Sequence, residues 1–139
     1  MNRYVIDASV AVKWFVPEVH SDTAARLLDG TYELIAPDLL LPEFANILWK
    51  KVRLGQISSA VGRQIMQEFK AVCLQTYPPD DLLEQAFEIA NNLGRTVYDS
   101  LYLALAIREQ CQLVTADQKF YNALATSSFA VNILWIEDV

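Results

Sequence analysis

The sequence predicts an α/β fold, one domain over residues 1–139 with a mainly parallel central sheet and helices on both of its faces. Three observations predict it. Short runs rich in Val, Ile, Leu and aromatic residues alternate with longer helical patterns along the whole chain. Those runs are apolar on both faces instead of alternating, which is how buried parallel strands read. No repeat, linker or low-complexity tract interrupts the alternation, and a chain of 139 residues can bury roughly two-thirds of its unfolded surface.

Taken in order, residues 3–8 (RYVIDA) form the first strand, which delivers Asp7 at its end with Ser9 just beyond. Helical patterns follow at 9–16, stopped by Pro17, and at 21–29, with Ser21 or Asp22 as N-cap and Gly30 closing. Residues 32–36 are the second strand, ending at Pro37. A long helix then runs to about residue 53 and is closed by Gly55. Either Asp38 caps it with Pro42 in its first turn, or Pro42 is its first residue; both place Glu43 near a helix N-terminus. A fourth helix opens at Ser58 or Ser59 and runs to about Cys73. A fifth opens at Asp80 or Asp81, with Glu84 as the capping-box partner of Asp81, and ends within 92–94. The sixth, 97–110, is apolar nearly all round and must be buried. Residues 113–116 form a strand ending at Asp117, 118–125 a short helix, and 131–136 the last strand.

Composition sets limits on function. The net charge of −6 is unfavourable for a nucleic-acid binder, which ordinarily carries a basic footprint. Four of the acids belong to the candidate site described next, however, and two divalent cations there would cancel them. Any contact with nucleic acid is therefore expected to be local and led by metal. A hydrophobic fraction of 53% and a mean hydropathy of +0.18 are high for a small monomer and point to an oligomer or partner surface. Cys73 and Cys111 lack motif spacing and read as small core residues in a reducing compartment. His20, just ahead of a helix, reads as a surface residue. The beginning MNRYVIDASV lacks a signal-peptide pattern, and no run approaches the roughly 20 apolar residues of a membrane span. A cytoplasmic protein with no membrane association is expected.

Four carboxylates stand out. Asp7 and Asp117 each end a buried strand, where an open parallel sheet binds its ligands, and two such charges on neighbouring strands repel without a cation between them. Asp99 begins the most apolar helix of the chain, and Glu43 lies in the apolar stretch LLLPEFANILWK. Each residue alone also suits a cap or a first-turn acid. Together they suit a hard divalent cation, Mg²⁺ or Mn²⁺, and hydrolysis of a phosphodiester by metal-activated water. That chemistry requires no histidine. With four Gly in the chain there is no glycine-rich phosphate loop, and no G-x-S-x-G elbow is present. Asp7-Ala8-Ser9 is like the nucleophile motif of aspartyl-phosphate phosphatases, but Ser9 stands where the second aspartate is expected. Lys50, Lys51 and Arg53 read as a solvated helix end and as modest candidates for phosphate contact.

VIDASV, PEFANILWK, TVYDSLYLALA and LVTADQKFYNAL, in that order, resemble the four motifs of PIN-domain nucleases, and the closest resemblance is to the VapC toxins of VapBC toxin–antitoxin pairs. The resemblance spans almost the whole chain. It implies a PIN-like parallel sheet with an acidic pocket, Mg²⁺- or Mn²⁺-dependent cleavage of RNA, a homodimer, and silencing by a cognate antitoxin. By motif position Asp7, Glu43, Asp99 and Asp117 match the four family acids as catalytic and metal-binding residues. Asp7 and Asp99 are taken as the principal ligands, and Glu43 and Asp117 as completing the shell or orienting water. Ser9 and Thr115 match the small hydroxyl residues beside the first and last acids, holding water, metal ligands or phosphate. Two other classes stand beside this reading: a PIN-fold module that binds RNA or protein without cutting, and an acidic-pocket phosphatase or receiver-like domain. Trp14, Phe15 and Trp49, on the helices that bear Asp7 and Glu43, are candidates for an aromatic groove that takes the antitoxin, or else for ordinary core.

Overall fold

A computed structural model describes residues 2–139. Its five strands are β1 (Asn2–Ile6), β2 (Tyr32–Pro37), β3 (Leu74–Tyr77), β4 (Gln112–Thr115) and β5 (Ile133–Trp135). They pair in parallel throughout, in the order β3-β2-β1-β4-β5. Val5 and Ile6 on the central strand are wholly buried, as a strand that is apolar on both faces requires. The chain lays β2 and β3 on one side of β1 and then returns to place β4 on the other. A crevice opens at such a reversal, outside the carboxyl ends of the two strands concerned. Here those strands are β1 and β4, which lead directly into Asp7 and Asp117.

The helices are α1 (Ala8–Ala11), α2 (Ser21–Ala25), α3 (Leu40–Arg53), α4 (Ser59–Phe69), α5 (Leu83–Leu93), α6 (Val97–Arg108) and α7 (Gln118–Ala125). Tight 3₁₀ turns at Val12–Trp14 and Arg26–Leu28 extend α1 and α2. The run from Ser100 to Ala106 on α6 is buried against α5, β1, β2 and β4, which accounts for its apolar residues on every side. Among the described residues no helix is long and apolar enough to cross a membrane.

Several boundaries differ from the sequence reading. The fourth helix ends at Phe69, short of Cys73; residues 70–73 turn the chain into β3, an unexpected edge strand whose LQTY pattern is too short and polar to stand out. Parallel pairing of Leu74 with Leu34 and of Tyr77 with Pro37 stabilises it. Neither proposed start of α3 holds. Leu39 is the N-cap, without a side-chain hydrogen bond, and Pro42 is the third helical residue. Burial of Leu40 pulls the start back, and the Asp38 N–H is engaged by the Tyr77 carbonyl of β3 at 2.7 Å. The capping box at Asp81 is not formed, because Leu82 is fully buried and α5 starts after it. His20, not Ser21 or Asp22, precedes α2, in a left-handed conformation. Its ring pairs with Glu137 and meets the Trp135 ring edge-on, so it fastens the chain's last turn and is no free surface residue. Cys73 is exposed just ahead of β3 and Cys111 partly buried; both are free thiols, and Cys73 is not a core residue.

The aromatic residues divide. Phe44 and Phe69 stack at 4.1 Å between centroids, Phe15 packs against both, and the Trp14 indole N–H donates to the Ala24 carbonyl at 2.9 Å. Trp14 and Phe15 therefore help to hold the helices together. Trp49 alone of the three faces outward, 55% exposed, with the Arg53 guanidinium 5.6 Å above its ring.

Candidate active site

At the reversal between β1 and β4 the backbone itself positions Asp7. Its extended conformation ends the strand, and its carboxylate caps α1 by accepting from the Val10 N–H at 3.1 Å. Ser9 donates to the same oxygen at 2.6 Å, and Thr115 donates to the other at 2.5 Å. Each hydroxyl accepts in turn from β4's exit. The Ala116 N–H reaches Ser9 Oγ at 3.1 Å, and the Asp117 N–H reaches Thr115 Oγ1 at 3.1 Å. Asp117 caps α7 through the Phe120 N–H at 3.1 Å. The two hydroxyl residues picked out beside the first and last acids are thus the rivets that join the ends of the two strands.

Asp7 is 7% exposed and has no cationic partner in this network. Burial pushes its carboxyl up to about 6, against the opposing pull of its three donors, and the nearby charge of Asp117 pushes in the same direction as burial. Glu43, on the first turns of α3, is also raised by burial, with the Asp99 carboxylate adding to the effect. Glu43 accepts a 2.5 Å hydrogen bond from the Tyr102 hydroxyl. Burial, followed by the charges of Glu43, Asp7 and Asp99, pushes the Tyr102 phenol far up, which keeps it a donor at every ordinary pH. Tyr102 thus lies within electrostatic reach of three of the four acids.

Asp99 sits in the first turn of α6, where the Thr96 hydroxyl caps its N–H at 3.0 Å. Arg95, one turn earlier, donates to its carboxylate at 3.0 Å. Asp7 and Asp117 feel one another's charge, as do Glu43 and Asp99, and Tyr102 stands between the first acid and the second pair. Among the described residues, no three His, Cys, Asp or Glu side chains stand ready as an ion-holding group. Beside Glu43 a groove of about 420 Å³ opens, lined by Leu39, Asn46, Ile47, Lys50 and the exposed Tyr98 among others. Lys51 and Lys13 are engaged by Glu18, which leaves Lys50 as the cation of this helix end that faces the groove.

Sequence reasoning missed Tyr102 and Arg95. The signal was present: positions three after and four before Asp99 share its face of the helical path. The apolar character of α6 hid the first, and the second lay outside the expected helix.

The Thr115 rivet yields a stability test. Thr115→Val keeps the shape but leaves a buried carboxylate oxygen and the Asp117 N–H without partners, a loss of about 1–3 kcal/mol in urea unfolding. Thr115→Ser should recover most of it.

The PIN domain family profile matches residues 4–124. Ribonuclease VapC3 of Pyrobaculum aerophilum is 36% identical over 121 residues, covering 84% of this chain and 91% of that protein. The crystal structure of PAE2754 from Pyrobaculum aerophilum superposes with a TM-score of 0.68 at 23% identity, over 98% of this chain and 85% of that one. A toxin–antitoxin complex from Klebsiella pneumoniae gives 0.62 at 12% identity, over 98% of this chain and 99% of that one. The profile spans most of the chain, and the 36% identical relative is matched over most of both lengths; the chain belongs to the PIN-domain family.

Proposed function

We propose that this chain is a Mg²⁺- or Mn²⁺-dependent endoribonuclease, the toxin of a toxin–antitoxin pair, that hydrolyses RNA phosphodiesters with activated water. The observation that carries the reading is the pairing of Asp7 with Asp117 at the strand-order reversal. A buried carboxylate with no cationic partner, beside a second negative charge, is costly when ionised even with its three donors, and has a clear chemical use. The donor set fits a hard divalent ion, since it is carboxylate oxygen with neither thiolate nor imidazole among it. Asp7 and Asp99 would hold the ion, with Glu43 and Asp117 completing the set. The ion, when bound, supplies positive charge at the scissile phosphate and makes a water molecule more acidic.

The protein's own groups supply the rest. Ser9, Thr115 and the Val10 N–H fix the Asp7 carboxylate in orientation, so no reorganisation is needed when substrate arrives. Tyr102 fixes Glu43, whose carboxylate, made more basic by burial, can orient a water and draw on its proton. The groove beside Glu43, with Lys50 on its wall, is the approach for an RNA strand, and an antitoxin segment that blocked it would silence the enzyme. Relatedness to VapC ribonucleases and the likeness to a toxin–antitoxin complex support that partner. Apolar side chains in the open, such as Phe87 at 57% exposure on α5, support a homodimer, which sedimentation would detect.

Purified protein should cleave RNA in Mg²⁺ or Mn²⁺ and stop on addition of EDTA. Asp99→Asn should lose at least about 100-fold in rate while keeping its fold, since even outer partners of a metal site cost about 10- to 100-fold and Asp99 is proposed as a direct ligand. Undiminished cleavage in EDTA would refute the reading.

A further inference from the structure

Arg95 is the cation paired with one of the four acids. It lies on the segment between α5 and α6, and its Nη2 donates to Asp99 Oδ2 at 3.0 Å. Its guanidinium lies 5.0 Å from the ring centroid of Phe120, the third residue of the helix that Asp117 caps. The ring limits the guanidinium to partners in its own plane. Nε and Nη2 form one edge of the fork that carboxylates and phosphates ordinarily fill with two bonds. Only half of that edge is used, because Nε is buried and without a hydrogen-bond partner. A buried donor left unmade costs free energy, and the pair with Asp99 is half-exposed and correspondingly weak.

We propose that Arg95 is the built-in counter-ion of the acidic centre, a positioning residue that holds Asp99 in the absence of metal and is displaced from it by a divalent cation. The inference rests on the metal-dependent reading of the site. It explains why the centre tolerates clustered carboxylates before an ion arrives: one intramolecular charge already neutralises part of the Glu43–Asp99 pair. It also implies that the site's affinity for metal is held down by a competitor covalently attached one helical turn away. A positive charge 3.0 Å from the Asp99 oxygen repels a divalent cation drawn to that same oxygen, so removal of the competitor should be readable.

Calorimetric titration of the full chain with Mn²⁺ tests this, using wild type, Arg95→Met and Arg95→Lys. Methionine keeps the stem packed over Phe120 without the charge, and lysine restores a charge without the fork. Arg95→Met should bind Mn²⁺ about two- to fivefold more tightly, with Arg95→Lys returning most of the way to wild type. Its melting temperature without metal should fall, and its gain on adding Mn²⁺ should exceed that of wild type. Equal or weaker Mn²⁺ affinity in a folded Arg95→Met overturns the proposal. Should that variant misfold, the wild type answers alone. The Arg95 Nε–H resonance, identified as the one missing from Arg95→Lys, should move on titration with Mg²⁺. A stationary resonance while Mg²⁺ binds overturns the proposal, and a wild type that takes up neither ion defeats the metal reading beneath it.

Discussion

At pH 7.5 and without divalent metal, Asp7→Asn is expected to melt several degrees above wild type while losing RNA cleavage by at least about 100-fold. The stability gain follows from burial. In the folded protein the Asp7 carboxyl titrates at about 6, against 3.8 for the ordinary group, so the folded state holds the proton more tightly than the unfolded chain does. Stability from that proton is fully present below about pH 4 and is lost as pH rises through 6. At neutral pH the wild type is thus destabilised by an ionised, desolvated carboxylate, by about 2–3 kcal/mol. Asparagine carries no such charge. Its carbonyl can accept from Ser9 and the Val10 N–H, and its amide can donate to Thr115 in place of the bond now running the other way. The check is a pair of urea unfolding series from pH 4 to 8 in EDTA. The two proteins should converge near pH 4 and separate above 6. A variant less stable than wild type at every pH would mean that capping of α1, and not charge burial, dominates at this position.

Phe44→Ala carries the largest expected loss of stability, about 4 kcal/mol. Phe44 is 1% exposed, stacks on Phe69 and meets Phe15 edge-on, so truncation opens a cavity where α3, α4 and the turn after α1 converge. Phe87→Ala on the outer face of α5 makes a matched control, since its ring is already largely in water and its loss should change monomer stability by less than about 1 kcal/mol. Unfolding midpoints in urea report both. A loss below about 1 kcal/mol for Phe44→Ala would show that the cluster collapses to fill the gap. Because Glu43 precedes Phe44 on the same helix, the variant should also weaken metal binding even where it remains folded.

Local chemistry decided a good part of this protein. Apolar runs that end in aspartate, the stops at Gly55 and Gly94, and the all-round apolar α6 are set by periodicity and backbone preference, and each is legible without coordinates. So is the identity of the four candidate acids, because a carboxylate in an apolar stretch is conspicuous. What sequence could not supply was which groups satisfy those carboxylates. Ser9 and Thr115 were visible as small hydroxyl residues, yet their bonds to Asp7 exist only because β1 and β4 lie side by side with Ile6 opposite Val114. Tyr102 reads as one more apolar residue until α3 brings Glu43 to its hydroxyl.

The edge strand β3 and the starts of α3 and α5 were decided the same way, by partners distant in sequence. Tyr77 engages the N–H of Asp38, and burial of Leu40 and Leu82 overrides the capping that their acidic neighbours offered. Trp14 and Phe15 joined the packing between helices, while Trp49, equally aromatic, stayed outside. Sequence by itself determined the order of elements, β3 excepted, and the chemical character of the centre, because those depend on residue type and spacing along the chain. Tertiary structure alone decided the hydrogen-bond partners, the raised carboxyl of Asp7 and the counter-ion at Asp99, because desolvation and close contact arise only when separate segments exclude water together.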